Sequence, residues 1–309
     1  MAISAKDVAD LRAKTGVGMM DCKKALAETN GNFDEAIKLL REKGLAVAAK
    51  KADRIAAEGV VDILYDEASN TAVMLEANIE TDFAAKGEKF QTFVKGCLNV
   101  VLKEKPGNID ELLTKPFGDG LTVDEALKEI TLVVGEKITI RRFIIVEGVV
   151  STYVHNKGAI GVIVKVDADE KALADAGFNE FKKNLALQIA SMNPIYVSRD
   201  DVPASVIAEE KEIISTQIKN DEANAKKPEN VIEKMVEGKI RKYFEDNCLL
   251  EQGYVKEDKL SVEKYIDNYK KQAGGEVKVV TFYRFEKGEG IQKREDNFAE
   301  EIAQLTGQK

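Results

Sequence analysis

One histidine, His155, and three cysteines, Cys22, Cys97 and Cys248, are the side chains best suited to chemistry in this chain. A single imidazole cannot build a multi-histidine metal site, and any nucleophile–base pair would depend on that one ring. His155 lies in Tyr153-Val154-His155-Asn156-Lys157-Gly158, which reads as a strand running into a turn. There it is as readily a polar surface residue as a contact residue. The cysteines are odd in number and far apart, with no Cys-x-x-Cys spacing. That usage fits reduced thiols in a cytoplasmic protein and not a disulfide frame. Gly16-x-Gly18 and Gly288-x-Gly290 lack the strand-before, helix-after context of a phosphate loop. The chain holds 54 acids, so acid pairs arise by chance. These groups give an enzyme reading little support, and they imply no cofactor and no bound metal.

A different stretch draws notice: Glu76-Ala77-Asn78-Ile79-Glu80-Thr81-Asp82-Phe83. It follows the apolar, strand-like Thr71–Leu75 and precedes a helix-like run from Glu88 to Leu102. Three acids fall at near-alternate positions, and Asp82 stands beside a large apolar ring. The plain reading is a helix start, with Thr81 or Asp82 as N-cap and Phe83 in the core. The other reading is a strand–helix junction that presents Asp82 and Phe83 to a partner.

The elements that would position these residues begin with a soluble chain. At 309 residues, 44% hydrophobic and 32% charged, it can bury a full core and hold two or three domains. No apolar run approaches the ~20 residues of a membrane span, and the N-terminus shows no signal peptide. The net charge of −8 argues against direct nucleic-acid binding. Residues 1–55 carry +3 and the remainder −11, a basic head suited to an acidic protein surface.

Residues 1–55 read as three short helices. Ser4 caps the first, Gly16-Val17-Gly18 ends it, and Met19, Met20, Cys22, Ala25 and Leu26 form the apolar face of the second. Asn32 caps the third, Gly44 stops it, and Leu45–Ala57 reads as a linker helix. So small a core favours a docking module over a site of chemistry.

From Glu58 the chain repeats itself. Glu58-Gly59-Val60-Val61 matches Glu147-Gly148-Val149-Val150, and Val73 and Leu75 match Val162 and Val164 at the same offset of 89. Phe90 and Phe93 match Phe178 and Phe181 with a one-residue slip, and Arg141-Arg142-Phe143 echoes Tyr283-Arg284-Phe285. The expected fold class is α+β: a three-helix bundle (1–55), then two copies of a unit with antiparallel sheets (56–146 and 147–290). Phe93 to Leu112 is 19 positions, while Phe181 to Leu249 is 68. The excess reads as an antiparallel, coiled-coil-like helical hairpin over about 203–248, with Pro228 opening its returning helix. Residues 291–309 form an amphipathic tail, with Phe298, Ile302 and Leu305 on one helical face.

The repeat bears on the junction. Where Thr81-Asp82-Phe83 would fall in the second copy, the chain reads Ala168-Asp169-Glu170-Lys171-Ala172. The unit therefore does not require an Asp-Phe pair, and a pair the scaffold can omit is better suited to serve a partner. Aromatic anchors are the usual centres of such contacts.

Two signatures carry a resemblance. Leu11-Arg12-x-x-Thr15-Gly16-x-Gly18-Met19-Met20-Asp21-Cys22-Lys23-Lys24-Ala25-Leu26 and Glu76-x-Asn78-x-Glu80-Thr81-Asp82-Phe83 resemble those of the bacterial translation elongation factor Ts family. The resemblance extends over essentially the whole chain. It departs at Ala84, where the family usually has Val, and at Gly253, where Pro is common. It implies a cytoplasmic guanine-nucleotide exchange factor for the GTPase elongation factor Tu, active in protein biosynthesis without making or breaking a bond. It implies that residues 1–55 resemble a ubiquitin-associated domain and dock on the GTPase domain through Leu11, Val17, Met19, Met20 and Lys23. It implies that Thr81, Asp82, Phe83 and Ala84 push in beside the partner's Mg²⁺ and phosphate site, and that His155 meets the partner's third domain. Two other readings stay open: a ubiquitin-associated-like binding module on a scaffold, and a helical-hairpin chaperone. The hairpin is also a candidate surface for self-association.

Overall fold

A computed structural model describes residues 3–118, 120–221, 224 and 227–292. The tail helix expected from Ile291 to Leu305, with the 291–309 module, lies outside these residues from position 293 on.

The bundle consists of α1 (Ala5–Thr15), α2 (Met19–Glu28) and α3 (Phe33–Lys51). Ser4 and Asp7 cap α1 reciprocally, and Gly16 closes it at φ 68°, a conformation that favours glycine. Leu11, Cys22, Leu26, Ala36 and Leu40 are buried together in a small core. Gly44 does not stop the third helix. α3 runs through it to Lys51, and residues 52–57 lead into the first strand without the expected linker helix. There α3 packs against a neighbouring helix: a Cβ on Gly44 would stand in van der Waals contact, 3.4 Å from the Lys128 carbonyl. That close packing offsets a helix-propensity cost of ~1 kcal/mol.

The first copy contains β1 (Glu58–Asp66), β2 (Thr71–Ile79), the single turn α4 (Asp82–Ala85), α5 (Glu88–Glu104), α6 (Ile109–Thr114), the small ribbon β3 (Pro116–Gly118) with β4 (Leu121–Thr122), α7 (Val123–Val134) and β5 (Ile138–Glu147). The second repeats that order with β6 (Val150–His155), β7 (Ile160–Ala168), α8 (Glu170–Ala174), α9 (Phe178–Met192), the hairpin α10 (Ala204–Asn220) and α11 (Glu229–Asn247), the ribbon β8 (Gly253–Tyr254) with β9 (Glu257–Ser261), α12 (Val262–Ala273) and β10 (Val277–Glu286). Each copy folds an antiparallel sheet with its second strand central, β1-β2-β5 and β6-β7-β10. Equivalent registers recur: Val61 and Arg142 flank Glu76 as Val150 and Thr281 flank Lys165. Even the irregularity recurs, for the register of β5 slips at Arg141 and that of β10 at Val280.

Every residue of β2 is buried, because it is covered on both faces. Val73, Leu75, Ala77 and Ile79 face a core with Phe90 and Leu98 of α5. Ala72 and Met74 face the other sheet, where Val150 and Ile163 meet them. The two sheets thus pack back to back, with helices on the outside, in four layers. Gly161 lets them approach closely: a Cβ there would fall 2.5 Å from Val61 Cγ1. The hairpin closes on Ile214, Ile218, Ile232 and Ile240. Its base is tied to the body by Ile195 N–H to the Asn247 carbonyl (2.8 Å) and by a two-point Arg199–Glu251 ion pair.

Candidate protein-binding site

The chain leaves β2 at Ile79 and turns into α4 within two residues. Thr81, not Asp82, is the N-cap: its hydroxyl accepts the Ala84 N–H at 3.2 Å. Asp82 is the first helical residue, and Phe83 follows with 85% of its surface exposed. Of the two readings of Phe83, the core one does not hold. An isolated four-residue helix is far below the length at which helices persist in water, so long-range contacts must hold this one. Glu136 accepts both the Thr81 N–H (2.9 Å) and the Thr81 hydroxyl (2.8 Å). Glu80 accepts the Lys137 N–H (2.6 Å) and pairs with Arg54 at 3.3 Å. Ala85 anchors the inner side of the turn in the core, with Ala84 packed against the same cluster. Gln91 donates to the Ala85 carbonyl at 2.6 Å.

Asp82 lies in solvent with Lys86 Nζ at 2.6 Å. That hydrogen bond and the lysine's charge hold its carboxyl below the usual carboxylate range. The loop therefore shows a partner one fixed ring beside one ionised acid. The other two acids of the stretch point into the fold: Glu80 braces the turn, and Glu76 lies deeper. Glu76 is fully buried and accepts from Arg141 (3.1 Å), Arg142 (2.6 Å), Asn78 (3.1 Å) and the Gly288 N–H (2.7 Å). It fastens the end of the second copy to the first. No sequence signal marked Glu76 for burial, since its cationic partners lie 65 and 66 positions away.

In the second copy α8 closes differently. Asp169 caps it with its own carboxylate on the Ala172 N–H at 2.9 Å and gives its N–H to the Glu276 carbonyl at 3.0 Å. No carboxylate from outside clamps the turn; the Tyr269 hydroxyl donates to the Ala172 carbonyl at 3.2 Å instead, and Lys171 stands where Phe83 stands in α4.

Of the other expected contact residues, Leu11 and Val17 are buried in the bundle's own core. Met19 and Met20, expected on the inner face of α2, are 52% and 64% exposed, and Lys23 is exposed beside them. The buried stripe of α2 is Cys22, Ala25 and Leu26, and the two methionines precede it by a turn. His155 is exposed at the end of β6, with Nδ1 3.0 Å from the Tyr153 hydroxyl. The three cysteines are buried and free. Burial raises the Cys97 thiol pKa and pushes that of Cys248 up to about 11, so neither is a ready nucleophile. A groove of about 790 Å³ between α12 and β10 is lined in part by Asp167, Asp169, Asp200 and Asp201, and no residue of the Thr81–Ala84 turn lines it. Among the described residues no helix is long and apolar enough to cross a membrane, and no cluster of three or more His, Cys, Asp or Glu could hold a metal.

The duplicated α+β scaffold thus holds the Phe83 ring in water on a turn fastened from within the fold. The elongation factor Ts family model matches residues 80–289. Elongation factor Ts of Clostridioides difficile (strain 630) is 46% identical over 303 residues, covering 97% of this chain and 98% of that one. Elongation factor Ts of Syntrophotalea carbinolica is 44% identical over 313 residues, covering 99% of this chain and all of its own length. The chain belongs to the elongation factor Ts family, and with it to the protein factors of translation elongation.

Proposed function

We propose that this chain is a guanine-nucleotide exchange factor for elongation factor Tu, and that the Thr81–Ala84 turn is the wedge that loosens GDP. The observation that carries the wedge is the exposure of Phe83 on a turn clamped through Glu136 and Glu80, at a place where the sister unit shows a lysine. A side chain that buries nothing in its own fold, yet stands on so fixed a mount, is suited to enter a partner. Phe83 pushes between elements of the GTPase beside its Mg²⁺ and phosphate site. Asp82 brings a negative charge toward the metal. The factor binds more tightly to the GTPase whose nucleotide cradle is disturbed, so by linkage it weakens GDP by the same ratio that GDP weakens it. No bond is made or broken on this chain.

Met19, Met20 and Lys23 form the N-terminal contact face, with Leu11 and Val17 shaping it from beneath. His155 meets the third domain of the partner. Several contacts acting together are needed, because one coupling of ~1–3 kcal/mol is too small for efficient exchange. The test is release of fluorescent GDP from elongation factor Tu. Acceleration that rises with the concentration of this chain and then saturates supports the reading; release at the spontaneous rate contradicts it.

A further inference from the structure

We infer that Glu136, with Glu80, is a positioning residue for exchange: the two carboxylates form a reciprocal clamp that aims Phe83 and ties it to the N-terminal bundle. This rests on the wedge reading above. Glu80 follows β2 and accepts from the backbone of Lys137; Glu136 follows α7 and accepts twice from Thr81. The two turns thus trade side chains across 55 and 57 positions of sequence. The clamp continues outward. Lys137 Nζ donates to the Arg54 carbonyl at 2.8 Å, just past the end of α3. Lys51 Nζ donates to the Gly135 carbonyl, and Leu132 and Val133 of α7 pack into the bundle core. One connected set of contacts therefore runs from the docking bundle to the wedge.

The sister unit shows that such a clamp is not needed to close the turn. α8 is held by its own Asp169 cap, by the buried Ala172, and by the Tyr269 hydroxyl donating to the Ala172 carbonyl. Glu80 itself has no counterpart: β7 ends at Ala168 and the cap Asp169 follows at once, whereas one residue separates Ile79 from Thr81. The extra residue and the clamp both occur in the copy that carries the exposed ring. A mount is required there because Phe83 makes no burial of its own to fix its direction.

The experiment measures GDP release from elongation factor Tu against the concentration of the full-length wild type, Phe83→Ala, Glu136→Ala, Glu136→Gln and the Phe83→Ala/Glu136→Ala double variant. Circular dichroism and thermal midpoints are recorded for each. The clamp predicts that Glu136→Ala lowers the maximal release rate about ten-fold while half-saturation moves by less than about two-fold. Glu136→Gln, which keeps one acceptor, falls between Glu136→Ala and wild type. The double variant is at most about two-fold slower than Phe83→Ala alone, since the clamp acts chiefly by aiming the ring. If Glu136→Ala loses its fold, Glu136→Gln carries the same comparison. A wild-type maximal rate for the folded Glu136 variants beside an impaired Phe83→Ala overturns the clamp and leaves the wedge standing. So does a double variant whose losses multiply. A wild-type rate for Phe83→Ala overturns the wedge, and the clamp with it.

Discussion

The turns that end β2 and β7 occupy the same place in two copies of one unit, and they have been put to different use. At the first, a threonine cap is clamped by a distant carboxylate and holds a phenylalanine in water. At the second, an aspartate caps its own helix and the matching side chain is a lysine. The strands, bulges and covering helices agree between the copies, so none of these demands Phe83. The difference separates what the fold needs from what a partner needs. It also sorts the acids of the first turn. Glu76 serves the fold, Glu80 serves the mount, and Asp82 is left facing outward.

That sorting can be broken in order of effect. Glu76 sits buried against two arginines and a backbone N–H, and its counterpart Lys165 is only half-buried. Glu76→Ala should cost about 3 kcal/mol in urea unfolding, because Arg141 and Arg142 lose their buried partner, Arg142 keeping the Glu289 carboxylate, and the Gly288 N–H loses its acceptor. Lys165→Ala should cost less than about 1 kcal/mol. Equal costs would show that the copies do not differ here. The caps come next. Thr81→Ala and Asp169→Ala should each cost about 1 kcal/mol, but only Thr81→Ala should slow GDP release; slower release with Asp169→Ala would remove the functional asymmetry. Placing a ring in the second copy should do little. Lys171→Phe is expected to change stability by less than about 0.5 kcal/mol and to restore no exchange to Phe83→Ala, whereas rescue would mean that either turn can act.

The smallest effect concerns charge. Lys86 depresses the Asp82 pKa, while the depressed pKa of Asp169 comes first from the Ala172 N–H. Lys86→Ala should raise the Asp82 value toward ~3.9 and leave Asp169 unmoved in an NMR titration. A depressed folded value means that the Asp82–Lys86 contact is fully present above the unfolded pKa. It is lost as pH falls through the folded pKa. An unchanged Asp82 titration would show that the pair is not formed in solution.

Much of this molecule was legible in residue spacing. Helical periodicity located the bundle and the hairpin, and the offset of 89 located the duplicated unit before any strand was seen. What spacing missed is nonlocal. Gly44 has the composition of a helix stop, but α3 continues through it where it packs beside Lys128 and Leu132. Met19 and Met20 fit an apolar face, yet they lie before the short stripe that α2 buries. The acids of the junction looked alike in sequence, because a carboxylate's role depends on which distant donor reaches it. Phe83 was equally ambiguous: a phenylalanine after a cap is usually core, and the sister sequence and the family signature argued otherwise. The clamp from Glu136 had no sequence signal at all, for its two ends lie on turns that only the folded sheet brings together.

The central claim is that an exposed ring, and not the scaffold, drives exchange. Its most direct test is the maximal GDP release rate from elongation factor Tu at saturating Phe83→Ala, with complex formation measured separately. The account predicts a folded variant that still binds the GTPase but accelerates release roughly ten- to a hundred-fold less than wild type. A saturating rate equal to wild type would contradict it.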